Sequence, residues 1–216
     1  DHPVVLSRVD GHAVLANRKA MDLARITKAT PNPSGGEILR DENGEPTGLF
    51  VDNAIDLFAL VVPRDRDARS EILAAQERCL SVGLTGVHDA GVGTAAIEIY
   101  RTLDREGKLR LRVYALASSG EAWMERNEPI VGERFSLRGC KLMVDGSMGS
   151  RGAWLLEDYA DRKGHRGLPV TDPDTIRRIA AVAMKRGYQV CTHAIGDRGI
   201  RETLDAYEKA GVTRDA

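Results

Sequence analysis

The 216 residues carry 31 Lys and Arg against 32 Asp and Glu, a formal charge of −1, with 42% hydrophobic residues. That length can bury a full core in one domain, and the charge balance supplies no attraction to nucleic acid or to an anionic membrane. No apolar run approaches the roughly 20 residues of a membrane-spanning helix, and no signal peptide is visible. The three cysteines, Cys79, Cys140 and Cys191, form no CxxC pair, so neither a zinc ribbon nor a disulfide framework is indicated. A cytoplasmic location is the expectation. The chain starts at Asp1 without Met, which places its natural N-terminus upstream as a further expectation.

Taken in order, Val4 to Leu6 is a short apolar run, followed by an Asp10-Gly-His12 turn. A helical pattern covers Asn17 to Ile26, with Asn17 as N-cap. Residues 30–48 are rich in Pro, Gly, Asn and Asp and read as loop or hairpin, the Asp41-Glu-Asn-Gly44 turn favouring a hairpin. Residues 1–64 are therefore expected to be an irregular region with one helix.

From Asp65 the pattern becomes regular. Helices are expected at Ala68 to Val82, Thr94 to Arg105 (Thr94 as N-cap), near Glu121 to Arg126, at Asp174 to Arg186 and at Asp197 to Ala210. Gly83, Gly107, Gly187 and Gly211 sit where helix C-caps belong. Strands are expected at Thr85 to His88, Leu109 to Ala117, Cys140 to Val144 and Tyr188 to His193, with a long polar loop over 145–172. Four strands alternating with helices imply a parallel sheet with right-handed crossovers. Counting alone allows a small open α/β domain or about half of a (β/α)8 barrel, which needs eight strands.

The residues suited to chemistry gather at strand ends. His193 closes an apolar strand and is followed by Gly196 and Asp197, the latter a helix cap. Lys141 lies among Cys140, Leu142, Met143 and Val144, in a strand that should be buried, where an amine is rare unless paired or neutralised. Desolvation lowers a lysine pKa and makes the neutral amine a nucleophile. Such an amine could form a Schiff base with a carbonyl substrate, or take up carbon dioxide to give a metal-bridging carbamate. Asp145-Gly-Ser147, Asp10 with His12, and His88 with Asp89 are further polar clusters at strand ends or turns.

Several of these segments resemble motifs of the amidohydrolase superfamily, in the branch of metal-dependent amidohydrolases similar to N-substituted formamide deformylases. They are Leu6-Ser-Arg-Val-Asp-Gly-His-Ala13 with Asn17, Gly44-Glu-Pro-Thr-Gly48 with Asp52-Asn-Ala54, and Gly83-Leu-Thr-Gly-Val-His-Asp-Ala-Gly91. To these are added Lys141-Leu-Met-Val-Asp-Gly-Ser-Met-Gly-Ser-Arg-Gly-Ala153 with Tyr159, and Thr192-His-Ala-Ile-Gly-Asp197. The resemblance implies a partial (β/α)8 TIM-type barrel over 65–216, roughly strands 2–5, after an irregular N-terminal insertion. It implies one or two divalent metal ions, zinc foremost, with Lys141, in carboxylated form, and His193 as metal ligands. It also places Asp10, His12, His88 and Asp145 on the side of a small-molecule amide substrate.

The chain departs from the family pattern in lacking a His-x-His pair, the later His and Asp ligands and the terminal β-sandwich. It is therefore expected to be an internal segment, inactive and weakly metal-binding by itself, whose unpaired sheet edges favour a homodimer. Two other readings stay open: a Schiff-base lyase or aldolase using Lys141, and a non-catalytic remnant or binding module.

Overall fold

The computed structural model describes residues 2–61, 67–118 and 120–212. It is an α/β structure that divides into two compact units. The first comprises Asp1–Arg64, Met143–Pro173 and His193–Leu204, and the second Asp65–Leu142, Asp174–Thr192 and Asp205–Ala216. The boundary expected between residues 64 and 65 lies outside the described residues.

The first unit opens with β1 (Val5–Ser7), β2 (Ala13–Ala16), α1 (Arg18–Leu23), β3 (Gly36–Arg40) and β4 (Pro46–Asp52). The strands form an antiparallel sheet in the order β1-β2-β4-β3. Residues 1–64 are thus more regular than their Pro- and Gly-rich sequence suggests. Pro46 is tolerated because it is the first residue of its strand. Gly48, at φ 96°, brings the strand against the Ala16 carbonyl, where a Cβ has no room. The hairpin expected around Asp41 joins β3 to β4, with the Asp41 carboxylate accepting from the backbone N–H of Asn43 and Glu45, both at 2.9 Å.

Asn17 caps α1, its side-chain oxygen accepting from Ala20 N–H at 2.9 Å and from Val4 N–H at 3.0 Å. The helix is shorter than its sequence pattern, because Arg25 takes a left-handed φ of 56° and ends it. Alternate residues of the sheet, Val14, Ala16, Ile38 and Phe50, face a core completed by Met21, Ile26 and Phe58. The Phe50 and Phe58 rings meet edge to face at 4.7 Å.

In the second unit α2 (Ala68–Ser81), β5 (Gly86–Val92), α3 (Thr94–Arg105), β6 (Arg112–Ala117), α4 (Glu121–Met124), β7 (Ile130–Val131) and β8 (Phe135–Met143) follow in order, the last residue of β8 entering the first unit. Then come α5 (Pro173–Lys185), β9 (Gln189–His193) and α6 (Asp197–Ala210). Strands β5, β6 and β8 are parallel neighbours, β7 adds a short antiparallel pairing to β8, and β9 also pairs with β8. The alternation expected from the sequence is present.

Several boundaries differ; β6, for one, begins at Arg112 rather than Leu109. β8 begins at Phe135 rather than Cys140, because the alternating Ser136 and Arg138 conceal a strand whose other face holds buried Phe135 and Leu137. β5 runs on to Val92, so Asp89 lies within the strand rather than at its end. Gly93, not Thr94, is the N-cap of α3 and makes no side-chain cap bond. Ile97, Tyr100 and Leu103 of α3 pack on Val113, Ala115, Phe135 and Leu137, and the Tyr100 and Phe135 rings stack at 5.2 Å. Cys79, Cys140 and Cys191 are free thiols, and among the described residues no helix is long and apolar enough to cross a membrane.

Candidate functional site

The first unit gathers chemistry from three stretches of the chain. The antiparallel register that pairs Ala13 with Val51 puts His12 opposite Asp52, and Asp52 N–H donates to the His12 carbonyl at 3.2 Å. Their side chains then meet: His12 Nδ1 lies 2.7 Å from Asp52 Oδ1. The carboxylate is fully buried and the imidazole is 11% exposed. Burial pushes the Asp52 carboxyl above its ordinary range, against the downward pull of the His12 hydrogen bond.

Asp52 also carries backbone strain, at φ 49° and ψ −125°, a conformation that glycine normally holds. Its Oδ2 is the one buried side-chain N or O atom among the described residues with no hydrogen-bond partner. It packs against Gly146 and Gly152, where a Cβ on either would collide with it.

His193 follows from the other side. Its ring lies 5.0 Å from that of His12, tilted by 35°. Its Nε2 is 3.4 Å from the Gly146 carbonyl and 4.0 Å from Asp145 Oδ1. Asp145 is fully buried, and its oxygens accept from the backbone N–H of Trp154 (2.8 Å), Ile195 (3.0 Å) and Gly196 (2.8 Å). That geometry makes Asp145 an anchor for two loops and leaves no oxygen facing solvent.

Asp10 stands at the exposed rim. Arg8 grips it with two bonds, Nε to Oδ1 at 2.7 Å and Nη2 to Oδ2 at 2.5 Å, and this pairing holds the carboxyl far below the usual carboxylate range. Arg8 also donates to Ser147 Oγ at 2.7 Å, and Ser147 reaches Ser150 Oγ at 3.0 Å. Beside this cluster the outer face of the sheet carries a cross-strand row of Leu6, Leu15 and Leu49. With Leu39, Arg8 and Ser150 it lines a groove of about 320 Å³.

Asp10, His12, Asp145 and His193 thus come together in the first unit. His88 and Lys141 belong to the second. His88 is exposed on β5, its ring 5.2 Å from that of Tyr114. Lys141 is half-buried on β8, and desolvation lowers its amine pKa from the usual lysine value. Sequence reasoning passed over Asp52 and Arg8 as site residues and met Ser147 only as part of a polar turn. The available signal was the Asp52-Asn-Ala54 motif, whose importance becomes visible only through the register of two strands 40 residues apart.

Among the described residues no three His, Cys, Asp or Glu side chains are grouped so as to hold a metal ion. The orphan Asp52 oxygen does not change this, because glycine backbone fills the space in front of it. The residues present do not by themselves fit a metal centre, which normally takes three protein ligands when catalytic.

Two solved structures similar to this one are described as uncharacterized metal-dependent hydrolases. An uncharacterized metal-dependent hydrolase from Pyrococcus horikoshii OT3 is 29% identical, with a TM-score of 0.73 over 98% of this chain and 43% of its own. The Amidohydrolase family model matches residues 1–216, and the chain belongs to that family. It is similar to YtcJ of Bacillus subtilis (strain 168), named as an amidohydrolase, at 34% identity over 97% of this chain and 41% of that protein. It is also similar to the N-substituted formamide deformylase of Arthrobacter pascens, at 32% identity over 96% of this chain and 41% of that enzyme. The chain thus spans about two fifths of the length of these relatives.

Proposed function

We propose that this chain is part of a metal-dependent hydrolase that cleaves non-peptide C–N bonds in amides or formamides, adding water to give a carboxylic acid and an amine. The observation that carries this reading is the family match across all 216 residues, together with similarity to a formamide deformylase. Arg8 and Ser150 supply polar groups to the leucine-lined groove, which has room for an apolar N-substituent. In this reading residues 65–216 are part of a (β/α)8 barrel. On the resemblance of their motifs alone, Lys141, as its carbamate, and His193 would be two ligands of a zinc-type ion in the whole protein. The remaining ligands and the general base come from chain beyond these residues, consistent with the two-fifths coverage of the relatives. A cytoplasmic location, association of the isolated chain as a homodimer, and no nucleic-acid or membrane partner complete the reading.

The test is an assay of the intact protein for formate and amine release from an N-alkyl formamide, with metal content measured in parallel. Turnover that chelator abolishes and zinc restores supports the reading, as does inactivity of the 216-residue chain alone. A metal-free intact protein that shows no amide hydrolysis overturns it.

A further inference from the structure

The His12–Asp52 pair carries a consequence for which atom of His12 can meet a ligand. An ionised carboxylate only accepts hydrogen bonds. Asp52 Oδ1 lies 2.7 Å from His12 Nδ1, whereas Oδ2 is enclosed by Gly146 and Gly152 with neither a donor nor an acceptor in reach. The shared proton therefore lies on the line between Nδ1 and Oδ1. A histidine's tautomer is set by the bond its other nitrogen makes, so neutral His12 keeps its proton on Nδ1. Its Nε2 has no hydrogen-bond partner among the described residues and presents a lone pair.

We propose that Asp52 is a positioning residue that fixes His12 in this tautomer, so that Nε2 accepts a hydrogen bond from the N–H of an amide substrate. The preferred substrate is then a primary or N-monosubstituted amide rather than an N,N-disubstituted one. The strained backbone at Asp52 fits this role, because a residue held at φ 49° persists only where its surroundings over-determine it. The substrate half of the proposal rests on the amidohydrolase reading above; the tautomer half does not.

The experiment is ¹⁵N NMR of histidine-labelled intact protein, wild type, Asp52→Ala and Asp52→Asn, with kinetics on paired N-monosubstituted and N,N-disubstituted formamides. Neutral His12 should carry its proton on Nδ1 in the wild type. Asp52→Asn, whose side-chain carbonyl still accepts, should keep that tautomer, and Asp52→Ala should move the proton to Nε2. Turnover of the monosubstituted formamide should fall about 10-fold or more in Asp52→Ala, the scale typical of outer-shell partners of functional histidines, and much less in Asp52→Asn. The disubstituted formamide should be the poorer wild-type substrate and lose nothing further in Asp52→Ala. A wild-type His12 protonated on Nε2, or an unchanged tautomer in Asp52→Ala, overturns the positioning role whatever the activity. Equal turnover of both formamides overturns the substrate preference alone. If neither formamide is hydrolysed, the functional reading fails while the NMR result still decides the role of Asp52. Should Asp52→Ala not fold, the wild-type and Asp52→Asn spectra give that decision.

Discussion

His12 and Asp52 stand opposite each other one step beyond the Ala13–Val51 pair of β2 and β4, with ring and carboxylate in contact at 2.7 Å. A single register therefore fixes both the backbone and the side-chain pairing. Removing the carboxylate with Asp52→Ala leaves a largely buried imidazole without its partner and should cost about 2–4 kcal/mol. Denaturant unfolding of the intact protein measures this, and a loss under about 0.5 kcal/mol would show that solvent replaces the bond at no cost.

The hollow that receives Asp52 Oδ2 is made by missing side chains. Gly152→Ala should destabilise by about 1–3 kcal/mol through overpacking against that oxygen. In an Asp52→Ala background the obstructing atom is gone, so most of this penalty should vanish. A double-mutant cycle reads the difference, and additive penalties would mean that the methyl group meets something else.

Asp145 holds three backbone N–H groups from the turns at Trp154 and at Ile195–Gly196. An asparagine amide turns its NH₂ toward at least one of those donors in either orientation. Asp145→Asn is expected to cost about 2–3 kcal/mol and to speed amide exchange at Trp154, Ile195 and Gly196. Unchanged exchange at those three positions would contradict the anchoring role.

Arg162 reaches Glu37 with two bonds, at 3.0 and 2.6 Å, tying the 145–172 segment to β3. That pairing lowers the Glu37 carboxyl below its usual 4.5. A lowered carboxylate pKa adds stability in full above about pH 4.5, and this is lost as the pH falls through the folded-state value. The stability gap between wild type and Glu37→Gln should therefore be largest near neutrality and close in acid. Thermal unfolding from pH 7 down to pH 3 follows it, and a gap that widens in acid would reverse the assignment.

Asn17 serves two segments with one oxygen, capping α1 and accepting from Val4 N–H. Asn17→Ala should cost about 1–2 kcal/mol, whereas Asn17→Asp should retain most of the stability. Thermal melts of the two variants compare directly, and equal losses would remove the cap from the account.

Much of this molecule is legible before folding. The spacing of Ile97, Tyr100 and Leu103 marks α3, and Asn17 announces α1, because caps and helical stripes are local signals. The antiparallel sheet of residues 5–52 is less visible, since Pro46 and Gly48 imitate a loop while serving as strand start and close-approach point. The polar site divides in the same way. Asp10, His12, Asp145 and His193 betray themselves as polar residues beside strand ends or turns, but the buried engagement of Asp145 and the part played by Asp52 depend on pairings between distant segments. No local pattern encodes those, and family motifs point at the residues without giving their contacts.

The first compact unit is assembled from Asp1–Arg64, Met143–Pro173 and His193–Leu204. During synthesis its opening sheet leaves the ribosome well before the segment bearing His193 exists. At ordinary elongation rates the delay is on the order of ten seconds. Until Gly146 and Gly152 are made, Asp52 has its histidine but not the glycines that enclose it, so the nascent sheet holds in the open a carboxylate that the folded protein buries.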